Sequence, residues 1–236
     1  MNTSNVNTKV LFILVITFIV ASFVACRKEI KPEEEPQANV INLNDSCSYT
    51  IDGKQFTCDN LVSFGRGNSG ANLDIATGEY DPDTSLYFTS YALMNKEGGG
   101  GYLDISFIKK YGKNQLTKTW FGGILGPATD LELYKKGEHN YAVEYERSNS
   151  QNGIAFAVIN TTNTSSERLI TYINASAFWS TTIPSDCQND SKFEIVKLFP
   201  LADGSHIMEA IFTATVFDAK EKAKKLENGY LRLNVN

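Results

Sequence analysis

The chain has 236 residues, of which 42% are hydrophobic, 11% are aromatic and 21% are charged. These values are ordinary for a globular protein and exclude a disordered chain, a collagen and a heptad-repeat rod. The 22 basic and 27 acidic side chains give a net charge of −5. That balance excludes an electrostatic binder of nucleic acid, because such a protein needs a basic face. Two histidines and four cysteines leave little material for a zinc site, and we expect no cofactor.

The first predicted element is the apolar run Val10–Ala25, which is interrupted only by Thr17 and Ser22. A membrane-spanning helix needs about 20 apolar residues, so this run is short for a span and typical of a signal-peptide core. Lys9 supplies the positive charge that precedes such a core. We therefore predict a signal peptide over residues 1–25.

The apolar run ends in the letters FVAC, whose cysteine is Cys26, and basic residues follow at once. A small residue before a cysteine at this place resembles the lipobox of bacterial lipoproteins. The resemblance implies that cleavage falls before Cys26, that Cys26 is diacylated, and that the lipid anchors the chain to a membrane. Two acyl chains suffice for stable anchoring. An uncleaved signal anchor, which the following basic residues fit poorly, and ordinary secretion are the alternatives.

Residues 26–43 are charged, contain proline and are poor in apolar side chains, which predicts a flexible, solvated tether. The acidic cluster Glu33–Glu35 close behind Cys26 resembles the surface-export signal of Bacteroidota-type lipoproteins. That resemblance implies an outer-membrane lipoprotein exposed at the cell surface. The alternative interpretation of the cluster is a generic polar spacer.

The clearest unit of the predicted domain, residues 44–236, is a hairpin over residues 47–58. Its turn is Asp52-Gly53, a pair that suits a two-residue turn with positive φ at both positions. The turn sets Cys47 opposite Cys58, and alternation places both on one face with Tyr49 and Phe56. We predict that this face packs in the core.

The cysteines that remain after lipidation are Cys47, Cys58 and Cys187. The cell envelope is oxidising, so a disulfide is allowed. The hairpin register predicts a bond between Cys47 and Cys58, and the rival pairing joins Cys187 to one of them.

Further strands are predicted along the rest of the chain, and Ala219–Leu226 is read as either a short helix or a charged hairpin end. In the strand Ile207–Phe217, every second residue from Met208 to Val216 is apolar. The remaining predicted strands are Leu86–Met94, Tyr102–Lys109, His139–Arg147, Gly153–Asn160, Arg168–Ala175, Phe193–Phe199 and Gly229–Val235.

Strands at short intervals, joined by Gly, Asn and Asp turns, predict an all-β fold. We expect a single antiparallel β-sandwich or barrel-like domain. The opening letters YTIDGKQF and the closing pair IFTATVFDAK and ENGYLRLNV resemble uncharacterised β-rich lipoproteins of the Bacteroidota. This resemblance implies an all-β fold and carries no activity.

Several polar strings suggest chemistry, and each has a plainer interpretation. The letters GRGNSG at Gly65–Gly70 fit a dinucleotide motif, but no helix pattern follows, so we predict a loop between strands. Glu144 and Glu146 share a strand face that we expect to meet solvent. The weak candidates for a calcium site, in one acidic loop without EF-hand spacing, are Asp74, Glu79, Asp81 and Asp83.

Two aromatic pairs, Trp120-Phe121 and Phe178-Trp179, are the candidates for stacking on a sugar. Burial in the core is the commoner fate of such side chains. No coherent catalytic or metal set stands out in the sequence, and we do not expect an enzyme.

The leading functional hypothesis is a non-catalytic binding module for a glycan or other polymer. The alternative is a structural or accessory subunit of an envelope or fimbria-like assembly, in which the strand Gly229–Val235 pairs with a partner protein's edge. A third hypothesis, an envelope hydrolase, has its only candidates at Asp81, Asp83, Glu144 and Glu146.

Overall fold

The computed structural model describes residues 44–69, 72–73, 80–96, 101–144, 152–161, 166–173 and 181–236. These residues lie in one compact unit that spans Val40–Asn236. The predictions for residues 1–43, Cys26 among them, lie outside the described residues. So do those for Asp74, Glu79, Glu146, Phe178 and Trp179.

Strands make up most of the described residues, which confirms the all-β fold class. No α-helix occurs in this part of the chain, and no helix in it is long and apolar enough to cross a membrane. The helical turns are 3-10 helices at Lys113–Gln115, Phe121–Gly123 and Asp130–Leu133. The strands are β1 Ser46–Ile51, β2 Lys54–Cys58, β3 Asn60–Asn68, β4 Asn72–Leu73, β5 Tyr80–Asp81, β6 Thr84–Met94, β7 Gly101–Gly112, β8 Lys118–Thr119, β9 Leu125–Gly126, β10 Gly137–His139, β11 Gly153–Thr161, β12 Ser166–Ile170, β13 Lys192–Pro200, β14 His206–Phe217 and β15 Ala223–Val235.

Most of these strands belong to one large antiparallel sheet. Its hydrogen-bonded order is β2-β1-β15-β14-β12-β11-β7-β6-β3, and β13 joins β14 as a side branch that carries β10. The two ends of this order, β2 and β3, are separated in the chain only by Asp59. Because one residue spans at most about 3.6 Å, the end of β2 and the start of β3 lie close together, so the sheet is strongly curled and forms a half-barrel.

The first hairpin has the predicted register. Cys47 lies opposite Cys58 and Tyr49 opposite Phe56, and all four side chains are buried. Asp52 and Gly53 both have positive φ, at 51° and 73°, as the two-residue turn requires. Directly opposed residues have Cα atoms about 4.5–5.5 Å apart, within the range of a disulfide. Both sulfurs are thiols in this structure, so the bond stays a prediction.

The C-terminal hairpin bears on the predicted pairing of the last strand with a partner protein. β14 and β15 pair along most of their length, and β15 also pairs with β1 on its other side. Within Gly229–Val235, the residues up to Arg232 lie between β14 and β1, whereas Leu233–Val235 pair only with β14 among the described strands. Pairing of this strand with a partner protein therefore stays a prediction, and the edge available for it is short. The segment Ala219–Leu226 takes the hairpin alternative: a turn precedes the charged start of β15.

Three local predictions differ from the structure. Residues 65–68 of the Gly65–Gly70 string belong to β3 and not to a loop, because Gly67 leaves room for the Phe88 ring of the neighbouring strand. Among the described residues of the predicted strand His139–Arg147, only His139 belongs to a strand, β10, which pairs with β13; Tyr141 forms an isolated bridge to Ile154. The predicted strand Arg168–Ala175 ends at Ile170. The Phe156 N–H then donates to the Thr171 hydroxyl at 2.9 Å.

The main hydrophobic cluster joins one face of the large sheet to the segment 113–136, which supplies Leu116, Leu133 and Tyr134. Burial of the alternating apolar face of β14, from Met208 to Val216, confirms the prediction made for that strand. Aromatic rings dominate this cluster, and several meet edge to face at centroid distances of 4.8–6.5 Å, an arrangement that favours ring pairs. The segment 113–136 thereby closes the sheet around a packed interior.

Candidate functional site

The candidate site begins on β3, where Phe64, Arg66 and Asn68 alternate along one strand. Their partners across the ladder are Tyr91, Thr89 and Tyr87 of β6, which are buried in the interior. Because directly opposed residues of an antiparallel pair share a face, the three β3 side chains lie on the same face of the sheet as these buried partners, with Phe64 still 40% exposed. An arginine is thereby brought to the packed side of the sheet.

Arg66 forms an ion pair with Asp130, with 2.6 Å between Nε and Oδ2. Asp130 has no exposed surface, and its other oxygen accepts a 2.7 Å hydrogen bond from the Tyr87 hydroxyl. Asp130 opens a 3-10 helix whose first turn is capped by Thr129, which accepts a hydrogen bond from the Leu131 N–H at 3.2 Å. The helix therefore fixes the buried carboxylate beneath β3, where it pairs with the half-buried Arg66 cation.

A group of buried hydroxyls surrounds this ion pair. The Tyr134 hydroxyl lies 2.7 Å from Thr89 Oγ1 and 2.9 Å from the Tyr91 hydroxyl. Burial raises the pKa of Tyr87, Tyr91 and Tyr134 above the ordinary value. These hydroxyls are neutral at physiological pH, and they hold the charged pair in a fixed polar environment.

The Arg66 guanidinium also contacts two aromatic rings. Its Cζ lies 4.5 Å from the ring centre of Phe64 and 4.1 Å from that of Trp120. Lys118 places its Nζ 3.5 Å from the same tryptophan ring. We call Phe64, Arg66, Lys118, Trp120 and Asp130 together the Arg66 site. Cation–π contacts of this kind contribute roughly 0.5–2 kcal/mol, depending on how far water is excluded.

A short glycine hairpin holds Trp120 in position. The Trp120 N–H donates to the Ile124 carbonyl at 2.8 Å, and Gly122 and Gly123 adopt φ of 82° and 80° between them. A side chain on Gly126 would collide with the Trp120 indole, so the glycine allows the ring to pack. The indole Nε1 is buried and has no hydrogen-bond partner among the described residues, which costs about 1–3 kcal/mol.

Unpaired donors remain at the Arg66 site. Arg66 Nη1 and Nη2 make no hydrogen bond to any residue that the structure describes. Neither nitrogen is among the buried atoms that lack a partner, so solvent reaches both. Lys118 is exposed and has no ion pair within the described ranges. Phe64 and Leu125 beside them are exposed by 40% and 48%.

The predicted aromatic pair is only partly found at this site. Trp120 is half-buried and lies under two cations, so it is not an open platform for a sugar. Phe121 begins the 3-10 helix that follows, and its side chain lies outside the described residues. Sequence reasoning missed Phe64, Arg66 and Asp130. The alternation of Phe64, Arg66 and Asn68 was the signal of a strand there.

The calcium interpretation gains no support from the described part of the acidic loop. Asp81 accepts hydrogen bonds from the Asp83 N–H at 3.1 Å and the Thr84 hydroxyl at 2.7 Å. The Thr84 hydroxyl is the main cause that lowers the pKa of Asp81, and the nearby Lys110 adds to it. Within the described residues no group of three or more metal-ligating side chains comes together. Asp81 therefore serves as a turn-stabilising residue.

A second, shallow cleft of about 210 Å³ lies beside the 3-10 helix that carries Asp130. Lys109 and Glu132 pair within it at 2.8 Å, and the hydrogen bond from Lys109 lowers the pKa of Glu132. The His139 Nε2 lies 2.6 Å from the Lys135 carbonyl. Within this cleft Lys109 and Glu132 are therefore engaged with each other, and the His139 ring contacts a main-chain carbonyl.

Of the carboxylates considered for hydrolysis, the structure describes Glu144, Asp81 and Asp83, whereas Glu146 lies outside the described residues. Glu144 is half-buried and has a partner, whereas the prediction placed it in solvent. Asp81 ends β5 and is half-buried, and Asp83 lies on the exposed turn between β5 and β6.

Comparisons with known proteins add no further information about the site. No protein-family model matches the chain, and neither the curated proteins nor the solved structures include a significant match. Function is therefore inferred from the chemistry of the Arg66 site itself.

Proposed function

We propose that this protein is a lipid-anchored binding module of the cell envelope that holds a glycan chain at the Arg66 site. The anchor is the acylated Cys26 implied by the lipobox, and the acidic tether favours display at the outer-membrane surface. In this proposal the domain binds and does not catalyse. Its partners are the membrane, through the lipid, and a polysaccharide.

The observation that carries the proposal is a guanidinium that its neighbours hold in place but that keeps hydrogen-bond donors without a partner among the described residues. Asp130 holds Nε at 2.6 Å and two rings contact the plane, yet Nη1 and Nη2 face solvent. Sugar hydroxyls accept hydrogen bonds from such donors, and a preorganised donor loses little conformational freedom on binding. Exposed Phe64 and Leu125 add apolar surface for the C–H faces of a sugar ring.

The test is a binding screen of the full-length protein in detergent against a panel of polysaccharides, followed by thermal unfolding. A ligand at 100 times its dissociation constant adds about 2.7 kcal/mol to stability, which raises the melting temperature by a few degrees. We expect Phe64→Ala to reduce this shift, because it removes an exposed wall of the site.

The matched control is Arg232→Ala. Arg232 also lies over an aromatic ring, that of Tyr230 at 5.7 Å, but it belongs to β15 and has Glu209 as its ion-pair partner. We expect this variant to bind like the unchanged protein. If a well-folded protein binds no member of the panel, or if Phe64→Ala and Arg232→Ala bind equally, the Arg66 site is not a glycan site.

A further inference from the structure

We propose that the glycan held at the Arg66 site is an acidic one, whose carboxylate docks on Arg66 while Lys118, which lies over the same indole ring, adds a second positive charge nearby. This inference rests on the proposed function, since it names the ligand class of the same site. It follows from the charge balance of the site, from the part of the guanidinium left unpaired, and from the exposed apolar groups beside it.

The charge balance of the Arg66 site is one anion against two cations. Asp130 is the carboxylate of the site. One of its oxygens pairs with Arg66 Nε, and the other accepts a hydrogen bond from the Tyr87 hydroxyl. Elsewhere on the surface, Lys109, Lys192 and Lys197 each lie within 3.1 Å of a carboxylate oxygen. Lys118 has no such partner in the described part of the chain and lies against an indole ring instead. A bound anion would supply the missing charge.

The two terminal amino groups of Arg66, which have no hydrogen-bond partner among the described residues, have the geometry to bind a carboxylate. A guanidinium can offer parallel N–H bonds from its two terminal amino groups to the two oxygens of one carboxylate. Asp130 uses only Nε, so that pair of amino groups remains available. Asp130 and the two rings restrain the guanidinium before a ligand arrives, which favours a planar, bidentate partner over a single hydroxyl.

Apolar groups beside these cations favour a sugar over a small inorganic anion. Phe64 and Leu125 are exposed, and the Asn68 side chain ties the two strands together by donating to the Leu125 carbonyl at 2.6 Å. The ring faces of a uronic acid would meet these side chains while the carboxylate meets Arg66. The chemistry therefore fits a uronate residue within a polysaccharide.

The experiment compares one polymer in two charge states, polygalacturonate and its methyl ester, by titration calorimetry on the full-length protein in detergent. We expect the acidic polymer to bind at least about tenfold more tightly, because a charge-assisted bidentate contact replaces a neutral one. Raising the salt concentration should weaken binding of the acid and leave the ester unchanged, since salt screens exposed charges.

Variants assign the effect to the site. Lys118→Ala, which removes an exposed side chain, should lower affinity for the acid by about three- to tenfold and leave the ester unaffected. Lys197→Ala is its control, because Lys197 is exposed but already paired with Glu209. Arg66→Lys retains the charge but loses the bidentate geometry, so it should also reduce the preference for the acid. Urea unfolding of each variant shows which ones are folded.

The outcomes separate the two proposals. Equal binding of acid and ester, or tighter binding of the ester, overturns the acidic ligand and leaves the glycan module intact. A preference for the acid that survives in folded Lys118→Ala and Arg66→Lys overturns the assignment to this site. Absence of binding to both polymers and to the wider panel overturns the proposed function itself.

Discussion

Arg66 and Asp130 form a charged pair inside a largely aromatic interior. Removing two charges from water is costly, and a buried pair is often no more stabilising than apolar residues of the same volume. Here the carboxylate accepts two hydrogen bonds and the guanidinium contacts two rings. That arrangement compensates the lost hydration, and it leaves an arginine whose remaining donors face outward.

Breaking this pair should destabilise the domain strongly. Asp130→Asn retains the shape but leaves the half-buried Arg66 charge without a counterion, and we expect a loss of about 1.5–3 kcal/mol in the free energy of unfolding, because a hydrogen bond between charged groups is lost. Urea denaturation measures this loss. The control is Glu138→Gln, which removes an exposed partner of Lys192 and should leave the midpoint unchanged. If the two changes lower the free energy of unfolding equally, the ion pair between Arg66 and Asp130 stabilises the domain no more than an exposed ion pair does.

At the scale of elements, β3 shows how glycine permits a strand where its composition suggests a loop. A Cβ on Gly67 would overlap the Phe88 ring, whereas a Cβ on Gly65 would meet only the Ser90 hydroxyl at 3.2 Å. The absence of a side chain at Gly67 lets the Phe88 ring lie across the backbone, which compensates for the weak strand preference of glycine. Arg66 keeps its inward direction because the strand stays regular at this point.

Gly67→Ala therefore tests the strand that carries the site. We expect it to destabilise the domain by about 1–3 kcal/mol, because the added methyl group forces the Phe88 ring to move. Gly65→Ala is the matched control and should be nearly neutral, since the hydroxyl beside it can rotate. Thermal and urea unfolding of both variants measure the difference. A Gly67→Ala protein as stable as Gly65→Ala would contradict this packing.

At the scale of the whole molecule, the curled sheet encloses a large number of neutral phenols. Burial is the leading cause of a raised pKa at each of them, and neighbouring acidic groups raise several further. The phenols are Tyr49, Tyr87, Tyr91, Tyr111, Tyr134 and Tyr141. Folding therefore favours the protonated form of all of them.

The domain should lose stability at high pH for this reason. A folded-state pKa above the unfolded value of 10.0 contributes stability that is complete below the unfolded pKa, begins to fall there, and is lost as the pH rises through the raised folded-state pKa. We expect the urea midpoint to fall steeply between about pH 10 and about pH 11. Tyr141→Phe removes one such group and should make the fall shallower. A midpoint that stays constant over this range would contradict the buried phenols.

The features that the sequence alone determined are those set by neighbouring residues. The Asp52-Gly53 turn fixes the pairing of Cys47 with Cys58, because a two-residue turn leaves one register. Alternation along β14 predicts its buried face, since successive side chains of a strand point to opposite sides. The all-β class follows from the sum of many such local signals.

Only the tertiary structure decided which strands became neighbours and which side chains meet. The predicted strand at His139 pairs with β13, which is distant in the chain, and β15 became a central strand and not an edge. Arg66 and Asp130 are 64 positions apart, and neither lies in a motif that points to the other. Strand order is set by how the whole sheet curls around its core. Turn residues and alternation are local patterns, so they do not predict which distant strands pair.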